Sequence, residues 1–297
     1  MIGSAITGAL LSKGHKVIIL TRAFPTHMDL RNRVEYALWD IEQGSMDKWA
    51  IEKSEFIIHL AGAGVADKRW TEKRKNEILE SRVKSGQLLA EMLIKVPNKV
   101  KAVMAASAIG WYGPDPVIPN PLPFIESDPS HDSFLGNTCK EWEMSIKPIK
   151  ENGRRLVIFR TGIVLSRTGG ALQEFIKPFH FNVATVFGNG KQVISWIHID
   201  DLVGLYIRGI EDENMNGIYN AVSPDPVSNK DFMIILGQAM KKKPVLLHVP
   251  TLILKIALGE MSVEVLKSST VDSGKVSKAG FAFRYPALKS ALEDLCT

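Results

Sequence analysis

The apolar positions of the chain follow two alternating patterns, one typical of helices and one typical of buried strands. Between Ile2 and Leu10 the apolar residues recur at helical spacing, and Gly14 stands where it can end the helix. The β-branched run of residues 15–20 comes next, and such a run is typical of a strand buried on both faces of a parallel sheet. The first elements predicted are therefore a helix and a buried strand.

Three further segments repeat this order along the chain. Strands that run into small or glycine-rich ends are predicted in residues 54–64, 100–113 and 154–166, with helical stretches between them. Strands that alternate with helices predict an α/β fold with a doubly wound parallel sheet and right-handed crossovers. The last third is helical with proline-marked loops, which predicts a smaller, mostly helical lobe.

The same pattern predicts a division into domains and the place of a site. Residues 1–166 and 196–222 are predicted to form a dinucleotide-binding domain, and residues 167–195 and 223–297 a substrate lobe. Ligands of such sheets bind at the carboxyl ends of the strands. These ends fall at residues 21–22, 60–64, 107–112 and 161–166. Small, hydroxyl-bearing or positively charged residues are common there, as a dinucleotide crevice requires.

Composition narrows the class of protein. The 297 residues are 45% hydrophobic and 23% charged, which is ordinary for a soluble globular protein. No apolar run approaches the ~18 residues of a membrane span and no signal-peptide pattern is visible, so a cytoplasmic protein without a membrane partner is expected. The two cysteines, Cys139 and Cys296, form no Cys-x-x-Cys pair, which argues against a disulfide framework or a structural zinc site.

The net charge is a weaker guide to the binding partner than the composition is to the class of protein. The excess of 37 basic over 32 acidic residues, a net charge of +5, slightly favours anionic partners. The basic clusters at 73–75 and 241–243 lack interleaved aromatic residues, so we expect solvated helix faces and a small-molecule partner rather than nucleic acid. A homo-oligomer is left open. His198, Asp200 and Asp201 suggest a metal site, but a helix cap at one of the aspartates is favoured and no metal is predicted.

Seven segments, taken in order, resemble the extended short-chain dehydrogenase/reductase superfamily. The similarity is greatest to its atypical epimerase family branch of NAD-dependent epimerase/dehydratase-like proteins. The segments are HLAGAG, SRVKSG, ASAIGWYG, KEWE, RTGIVLSRTGGAL, GNGKQVISWIHIDDL and GFAFRYPALKSALEDL. The resemblance covers essentially the whole chain. It implies a Rossmann-like fold, a nicotinamide dinucleotide cofactor and a small-molecule substrate.

The resemblance also implies a strand and a glycine-rich loop ahead of the first helix, of which MIGSAI matches only the final part. In the family these glycines let the backbone and the helix N-terminus approach the pyrophosphate, so Ile2 and Gly3 are expected at the cofactor. A truncated chain is favoured over a Gly3 that is merely flexible. Because losing a central strand removes on the order of 10 kcal/mol, the chain as written is expected to be unstable or cofactor-deficient.

Further cofactor contacts follow from the resemblance. Arg22 stands where NAD-selective relatives place an acid, and an arginine pairs with a 2′-phosphate, so NADP is preferred over NAD; a solvated loop arginine is the other interpretation. Asp40 is expected near the adenine or as a helix N-cap, and Arg82 at the cofactor or substrate or in a surface salt bridge. The other cofactor residues expected at the strand ends are Thr21, Leu60, Ala61, Gly62 and Thr161.

The catalytic residues are less clear. Relatives use a serine or threonine with a Tyr-x-x-x-Lys pair, whose lysine lowers the pKa of the tyrosine. Ser107 matches the serine, but Leu135 and Cys139 occupy the tyrosine and lysine positions. Tyr112 is the nearest phenol and is either the acid–base or a residue that lines the pocket. A lone Cys139 is more often a small buried residue than a nucleophile.

Two functions are therefore expected. One is an NADP-preferring oxidoreductase or epimerase-like enzyme for an unidentified small carbonyl or hydroxyl compound, such as a sugar derivative, with Ser107 and Tyr112 as catalytic residues. The other is a non-catalytic NADP-binding, redox-responsive regulator. The absent Tyr-x-x-x-Lys pair favours the regulator, whereas the retained Ser107, Tyr112 and separate lobe favour the enzyme.

Overall fold

The computed structural model of the protein describes residues 1–25 and 33–296. Its first half contains α1 (Ile2–Ser12), β1 (Val17–Thr21), β2 (Val34–Asp40), β3 (Ser45–Met46), α2 (Lys48–Lys53), β4 (Phe56–His59), α3 (Glu72–Lys95), β5 (Ala102–Ala108) and α4 (Phe134–Glu151). The middle contains β6 (Arg155–Thr161), β7 (Ile163–Leu165), α5 (Ala171–Ile176), β8 (Val183–Phe187), β9 (Val193–Ile194), β10 (Trp196–His198), α6 (Ile199–Glu211) and β11 (Gly217–Ala221). The remainder contains β12 (Val227–Ser228), α7 (Asn229–Ala239), β13 (Val245–Val249), α8 (Thr251–Leu258), α9 (Ser262–Leu266), α10 (Gly274–Lys278) and α11 (Leu288–Cys296).

The predicted doubly wound α/β fold is confirmed. Four parallel strands pair in the order β11-β6-β5-β4, and a second sheet has the order β1-β2-β3 with β1 parallel to β2. Apolar side chains of α3 and α4 cover one face of β5 and β6, and those of α1 and α6 cover the other. The helices therefore lie on both faces of the sheet, as right-handed βαβ crossovers require.

β1 and β4 each have an open edge. In the part of the chain that the structure describes, β1 pairs with β2 alone and β4 with β5 alone. Leu20 of β1 and Ile57 of β4 pack against the same core cluster, so the two sheets share one layer. All five side chains of β1 are partly exposed, and the prediction that residues 15–20 are buried on both faces is wrong. A strand without a neighbour on one side leaves that flank of its side chains uncovered.

A further core cluster is built from α5, α7 and α11 around the buried rings of Phe179, Trp196 and Phe232, and side chains of α1 and α6 pack against it. The second half of the chain also contains two short strand pairs, the parallel β8–β13 and the antiparallel β9–β12. The residue boundaries predicted for the two domains stay a prediction. None of the helices within residues 1–25 and 33–296 is both long and apolar enough to cross a membrane.

Candidate functional site

The parallel register brings the predicted strand ends to one edge of the sheet. Ala108 at the end of β5 lies opposite Thr161 of β6, and Thr161 lies opposite Ala221 of β11. On the other side of β5, His59 pairs with Ala105, so Leu60 emerges at the same edge. The register therefore places Leu60, Ala61, Gly62, Ser107 and Thr161 along this one edge, where the crevice is predicted. The Thr161 hydroxyl donates a hydrogen bond to the Phe159 carbonyl at 3.2 Å.

The N-terminus of α1 faces the same edge. A Cβ added to Gly3 would lie 3.7 Å from Cδ1 of Leu60, so the first turn of α1 sits beside the end of β4. Ile2 is partly buried and packs against the core on the α1 side. The first N–H groups of a helix have no acceptor within the helix, and they give its N-terminus a partial positive charge. Ile2 and Gly3 therefore present backbone donors at the crevice.

Arg82 covers Gly62 just beyond the end of β4. A Cβ on Gly62 would lie 2.9 Å from Cζ of Arg82, so the guanidinium packs directly on the glycine backbone. Its Nη1 donates to the carbonyls of Ala63 at 3.0 Å and Ile78 at 2.9 Å, and its Cζ lies 5.0 Å from the ring centre of Trp142. Among the described residues Arg82 has no carboxylate partner, so the alternative of a surface salt bridge does not hold. Burial lowers the pKa of this guanidinium.

Thr21, Arg22 and Asp40 lie where the first two strands end. Thr21 Oγ1 donates to the Ala23 carbonyl at 2.7 Å, which turns the chain immediately after β1. Arg22 is exposed and has no partner within the described ranges. Asp40 caps no helix; its Oδ1 accepts the backbone N–H groups of Glu42 and Gln43 at 2.9 and 3.0 Å in the turn after β2. Arg22 is thus available to an anion, whereas one oxygen of Asp40 is already engaged.

Ser107 belongs to a buried network of charged groups. Its Oγ donates to Glu143 Oε1 at 2.7 Å, and Arg160 binds both carboxylate oxygens of Glu143, through Nε at 2.9 Å and Nη2 at 3.0 Å. Ser107, Glu143 and Arg160 are 3%, 8% and 1% exposed. Ser107, which was expected to orient a substrate oxygen, therefore donates its hydroxyl proton to Glu143 inside the protein.

Tyr112 closes the far end of the same network. Its hydroxyl donates to Asn220 Oδ1 at 2.7 Å and accepts from Arg160 Nη1 at 3.2 Å, and its side chain is fully buried. Burial raises the pKa of this phenol to about 12. A catalytic phenol works best with a pKa near the working pH and within reach of its substrate. An acid–base role for Tyr112 stays a prediction, and these contacts favour a structural role.

Leu135 and Cys139 lie on α4, which follows Ser133 as its N-cap. Cys139 is buried, and its Sγ lies 3.6 Å from the carbonyl oxygen of Ala108 at the end of β5. Burial raises the pKa of this thiol to about 11, so the thiolate needed of a nucleophile is disfavoured at neutral pH. The interpretation of Cys139 as a small buried residue is the one that the geometry favours.

His198, rather than either aspartate, caps α6. Its Nδ1 accepts the backbone N–H of Asp200 at 3.1 Å. Asp201 accepts the backbone N–H groups of Arg284 at 2.7 Å and Tyr285 at 3.0 Å, which ties the C-terminal lobe to the start of α6. The expected cap at Asp200 or Asp201 is therefore wrong, because the imidazole of His198, immediately before α6, accepts the N–H that a capping aspartate would accept. These contacts give the side chains of His198 and Asp201 structural roles.

Comparison with known proteins gives the family. The sequence model of the NAD dependent epimerase/dehydratase family matches residues 1–221, and that of a domain of unknown function, DUF1731, matches residues 249–295. The chain belongs to the NAD dependent epimerase/dehydratase family. An epimerase family protein of Staphylococcus saprophyticus is 34% identical, over 99% of this chain and 96% of the relative. One from Staphylococcus aureus is 35% identical, over 99% and 95%.

Solved structures agree with this assignment. The human epimerase family protein SDR39U1 (isoform 2), solved with NADPH, is 25% identical with a TM-score of 0.86, over 100% of this chain and 96% of that chain. A nucleoside-diphosphate sugar epimerase from Corynebacterium glutamicum is 28% identical with a TM-score of 0.77, over 100% of this chain and 56% of that chain. The resemblance drawn from the seven segments is confirmed.

Two residues at the centre of this epimerase-family site had no predicted role. Glu143 ends the KEWE segment and Arg160 begins its neighbour RTGIVLSRTGGAL, yet neither was singled out. The signal was present, because Arg160 follows four apolar residues of β6, and a charged side chain must find a partner when it is buried. The structure supplies that partner from α4. It also stacks Arg160 on Trp111, with Cζ 3.6 Å from the ring centre.

Proposed function

We propose that the chain binds NADP(H) in this crevice and catalyses oxidation–reduction, or a redox-coupled epimerisation, of a small hydroxyl or carbonyl compound. The observation that carries the proposal is Arg82, a half-buried guanidinium without an anionic partner among the described residues. Burying a charge is costly unless it is paired, so proteins retain such a group where a ligand supplies the opposite charge. The phosphates of a dinucleotide would do so.

The crevice fits this cofactor at three further points. The N-terminus of α1 at Ile2 and Gly3 offers backbone donors to a pyrophosphate. Gly62 lets the guanidinium of Arg82 pack against the backbone, because a Cβ there would collide with it. Arg22, exposed at the end of β1, would pair with an adenosine 2′-phosphate, which favours NADP over NAD. The human relative solved with NADPH supports the same choice.

Within the proposed enzyme, the nicotinamide would take up or release the hydride, and the chain would position the reactants. Leu60, Ala61 and Thr161 would line the cofactor at the strand ends. Ser107 would present the lone pairs of its oxygen, because its proton is held by Glu143. The hydroxyl of Tyr112 lies between Asn220 and Arg160 and is hydrogen-bonded to both, which favours another group for the proton transfer.

A second function, a non-catalytic NADP-binding regulator, is favoured by one set of observations. Leu135 and Cys139 stand where relatives carry a tyrosine and a lysine, and neither performs their proton transfer. Ser107 and Tyr112 are both committed to internal hydrogen bonds. A protein with this arrangement binds the dinucleotide and responds to its redox state without turnover.

Cofactor binding is tested first, by titrating the protein with NADPH and following nucleotide fluorescence. Arg82→Met should raise Kd about tenfold or more, because a charge-assisted hydrogen bond is worth roughly 1.5–3 kcal/mol. Lys73→Met is the matched control, since Lys73 lies on the exposed face of the same helix and carries the same charge. Equal Kd values for the Arg82 and Lys73 variants, with both folded by circular dichroism, would refute the proposed site.

Turnover separates the two functions. The near-ultraviolet absorbance of NADPH is followed with a panel of small aldehydes, ketones and oxidised sugars, and of NADP with the matching alcohols. Substrate-dependent change that persists in Tyr112→Phe supports an enzyme whose acid–base lies elsewhere. Loss of turnover in Tyr112→Phe, with the variant folded by circular dichroism, would restore the predicted catalytic role. Tight NADPH binding without turnover across the panel supports the regulator.

A further inference from the structure

A cavity of about 280 Å³ lies between the two lobes, next to the N-terminus of α4. One wall comes from the loop after β5 and from Ser133, and the other from α9 and the residue that follows it, within the domain of unknown function. The lining combines apolar Pro114, Val263 and Leu266 with polar His131, Glu264 and Lys267. No role is assigned to any of these residues by the family comparison.

Lys267 and Glu264 form the polar centre of the cavity. Lys267 Nζ lies 2.6 Å from Glu264 Oε2, and the two side chains are only 11% and 20% exposed. The same ammonium donates to the backbone carbonyl of Tyr112 at 3.2 Å. An ammonium carries three donors, and a carboxylate carries two acceptor oxygens. Within residues 1–25 and 33–296, one donor of Lys267 and Oε1 of Glu264 remain without a protein partner.

This arrangement selects the chemistry of a ligand. A hydroxyl group accepts from the spare N–H of Lys267 and donates to the spare oxygen of Glu264, which satisfies both. An anionic group at the spare N–H of Lys267 would lie beside the Glu264 carboxylate, and repulsion between two negative charges in a half-buried site is costly. The formal charge of the pair is zero. A neutral hydroxyl-bearing molecule is therefore favoured over a carboxylate or a phosphate.

A hydrogen bond links the cavity to the segment that follows β5. Lys267 binds the carbonyl of Tyr112, which follows Ser107 by five residues beyond the end of β5. The lining places apolar Pro114, Val263 and Leu266 beside the polar pair, as suits a ring or chain with one apolar side. Its volume falls just below the roughly 300–1,000 Å³ of typical small-molecule sites. One small ring or chain fits, whereas a molecule with an attached nucleotide does not.

We propose that this cavity is the substrate pocket and that it takes a small, neutral molecule with neighbouring hydroxyl groups, held by Lys267 and Glu264. The inference rests on the proposed function, because it places the reacting hydroxyl or carbonyl carbon between this pair and the cofactor crevice. The inference also narrows the proposed function, because a neutral molecule of this size carries neither a phosphate nor a nucleotide.

The test is ligand-observed saturation-transfer NMR on the full chain. The probes are neutral D-xylose, D-glucose and myo-inositol, with D-gluconate, D-glucose 6-phosphate and UDP-glucose as charged counterparts. The variants are Lys267→Met, Glu264→Gln and Val263→Trp, the last of which fills the cavity from a position that is 59% exposed. The control is Lys177→Met, which removes a lysine from another i,i+3 Lys–Glu pair, with Glu174, that is 67% exposed and outside the cavity.

We expect saturation transfer to at least one neutral probe, and retention of it in Lys177→Met. Lys267→Met and Glu264→Gln should reduce it about fivefold or more, since each hydrogen bond lost contributes about 1 kcal/mol, and Val263→Trp should reduce it at least as much by filling the cavity. Absence of transfer to all three neutral probes, transfer to charged probes alone, or equal signals for Lys267→Met and Lys177→Met would overturn the inference. NADPH binding is measured in the same samples. If NADPH does not bind while a neutral sugar does, the result counts against the proposed function and leaves the proposed pocket intact.

Discussion

Replacing Arg160 by methionine perturbs the group on which the buried network depends. The substitution removes the two bonds to Glu143, those to Tyr112 and to the Glu126 carbonyl, and the contact of the guanidinium with Trp111. It leaves the Glu143 carboxylate, which is 8% exposed, with Ser107 as its hydrogen-bond donor. Methionine keeps an unbranched apolar side chain in the same space, so the change acts mainly through charge.

The expected cost follows from the burial of the pair. Removing one partner of a buried ion pair destabilises a protein by about 3–5 kcal/mol, because the other charge stays buried without compensation. Replacing both partners by apolar residues is often far less costly, so Arg160→Met/Glu143→Leu should regain about 2 kcal/mol over the single variant. The control is Lys147→Met, which removes an exposed ion pair with Glu151 on α4, the helix that carries Glu143. It should cost about 0–1 kcal/mol.

Urea unfolding at neutral pH, followed by tryptophan fluorescence, measures these differences through the midpoint and slope of each transition. We expect the order Lys147→Met, then the double variant, then Arg160→Met, from least to most destabilised. A cost below about 1 kcal/mol for Arg160→Met, at an unchanged slope, would refute the reasoning. The network would then not hold α4 against β6, and Ser107 and Tyr112 would be released for other roles.

Three further predictions follow from particular contacts. Tyr112→Phe should lose about 1–3 kcal/mol in urea unfolding, because the Asn220 carbonyl then lacks its buried donor; no loss would show that the hydroxyl makes no such bond. Burial lowers the pKa of His59 to about 4, below the 6.5 of an unfolded chain, so up to about 3 kcal/mol of stability should be lost as pH falls from 6.5 through 4. His59→Gln should flatten that fall, and a fall of equal size in the variant would assign it to other groups. Extending the chain ahead of Met1 by a strand and a glycine-rich loop should raise Tm by about 10 °C. The open edges of β1 and β4 would then gain buried apolar side chains, which contribute roughly 1.5–3 kcal/mol each. An equal Tm for the two chains would contradict the added strand.

The alternation of strands and helices was readable from the sequence because it depends on local periodicity. Runs such as residues 15–20 and 154–161 are apolar enough to predict strands, and parallel pairing then fixes which ends meet. What periodicity does not carry is the identity of a strand's neighbours. The exposed edge of β1 and the pairing of β8 with β13 both depend on residues far away in the chain.

The site was only partly predictable for a similar reason. Strand-end positions such as Leu60, Gly62 and Thr161 followed from the fold class, and their place along the crevice follows from the register. The commitment of Ser107 to Glu143 did not, because a hydrogen bond between residues 36 apart has no local signature. The same holds for Lys267, whose carbonyl partner Tyr112 is 155 residues away.

The central claim, that the crevice holds NADP(H) with Arg22 at the 2′-phosphate, is tested most directly by the ratio of Kd values for NADH and NADPH. Calorimetric titration of the wild-type chain should give a ratio of about ten or more, and Arg22→Asp should bring it to about one or below. Lys16→Asp, which makes the same charge change at the opposite end of β1, should leave the ratio unchanged. Equal Kd values for the two nucleotides in the wild type, or a preference that survives Arg22→Asp, would contradict the account.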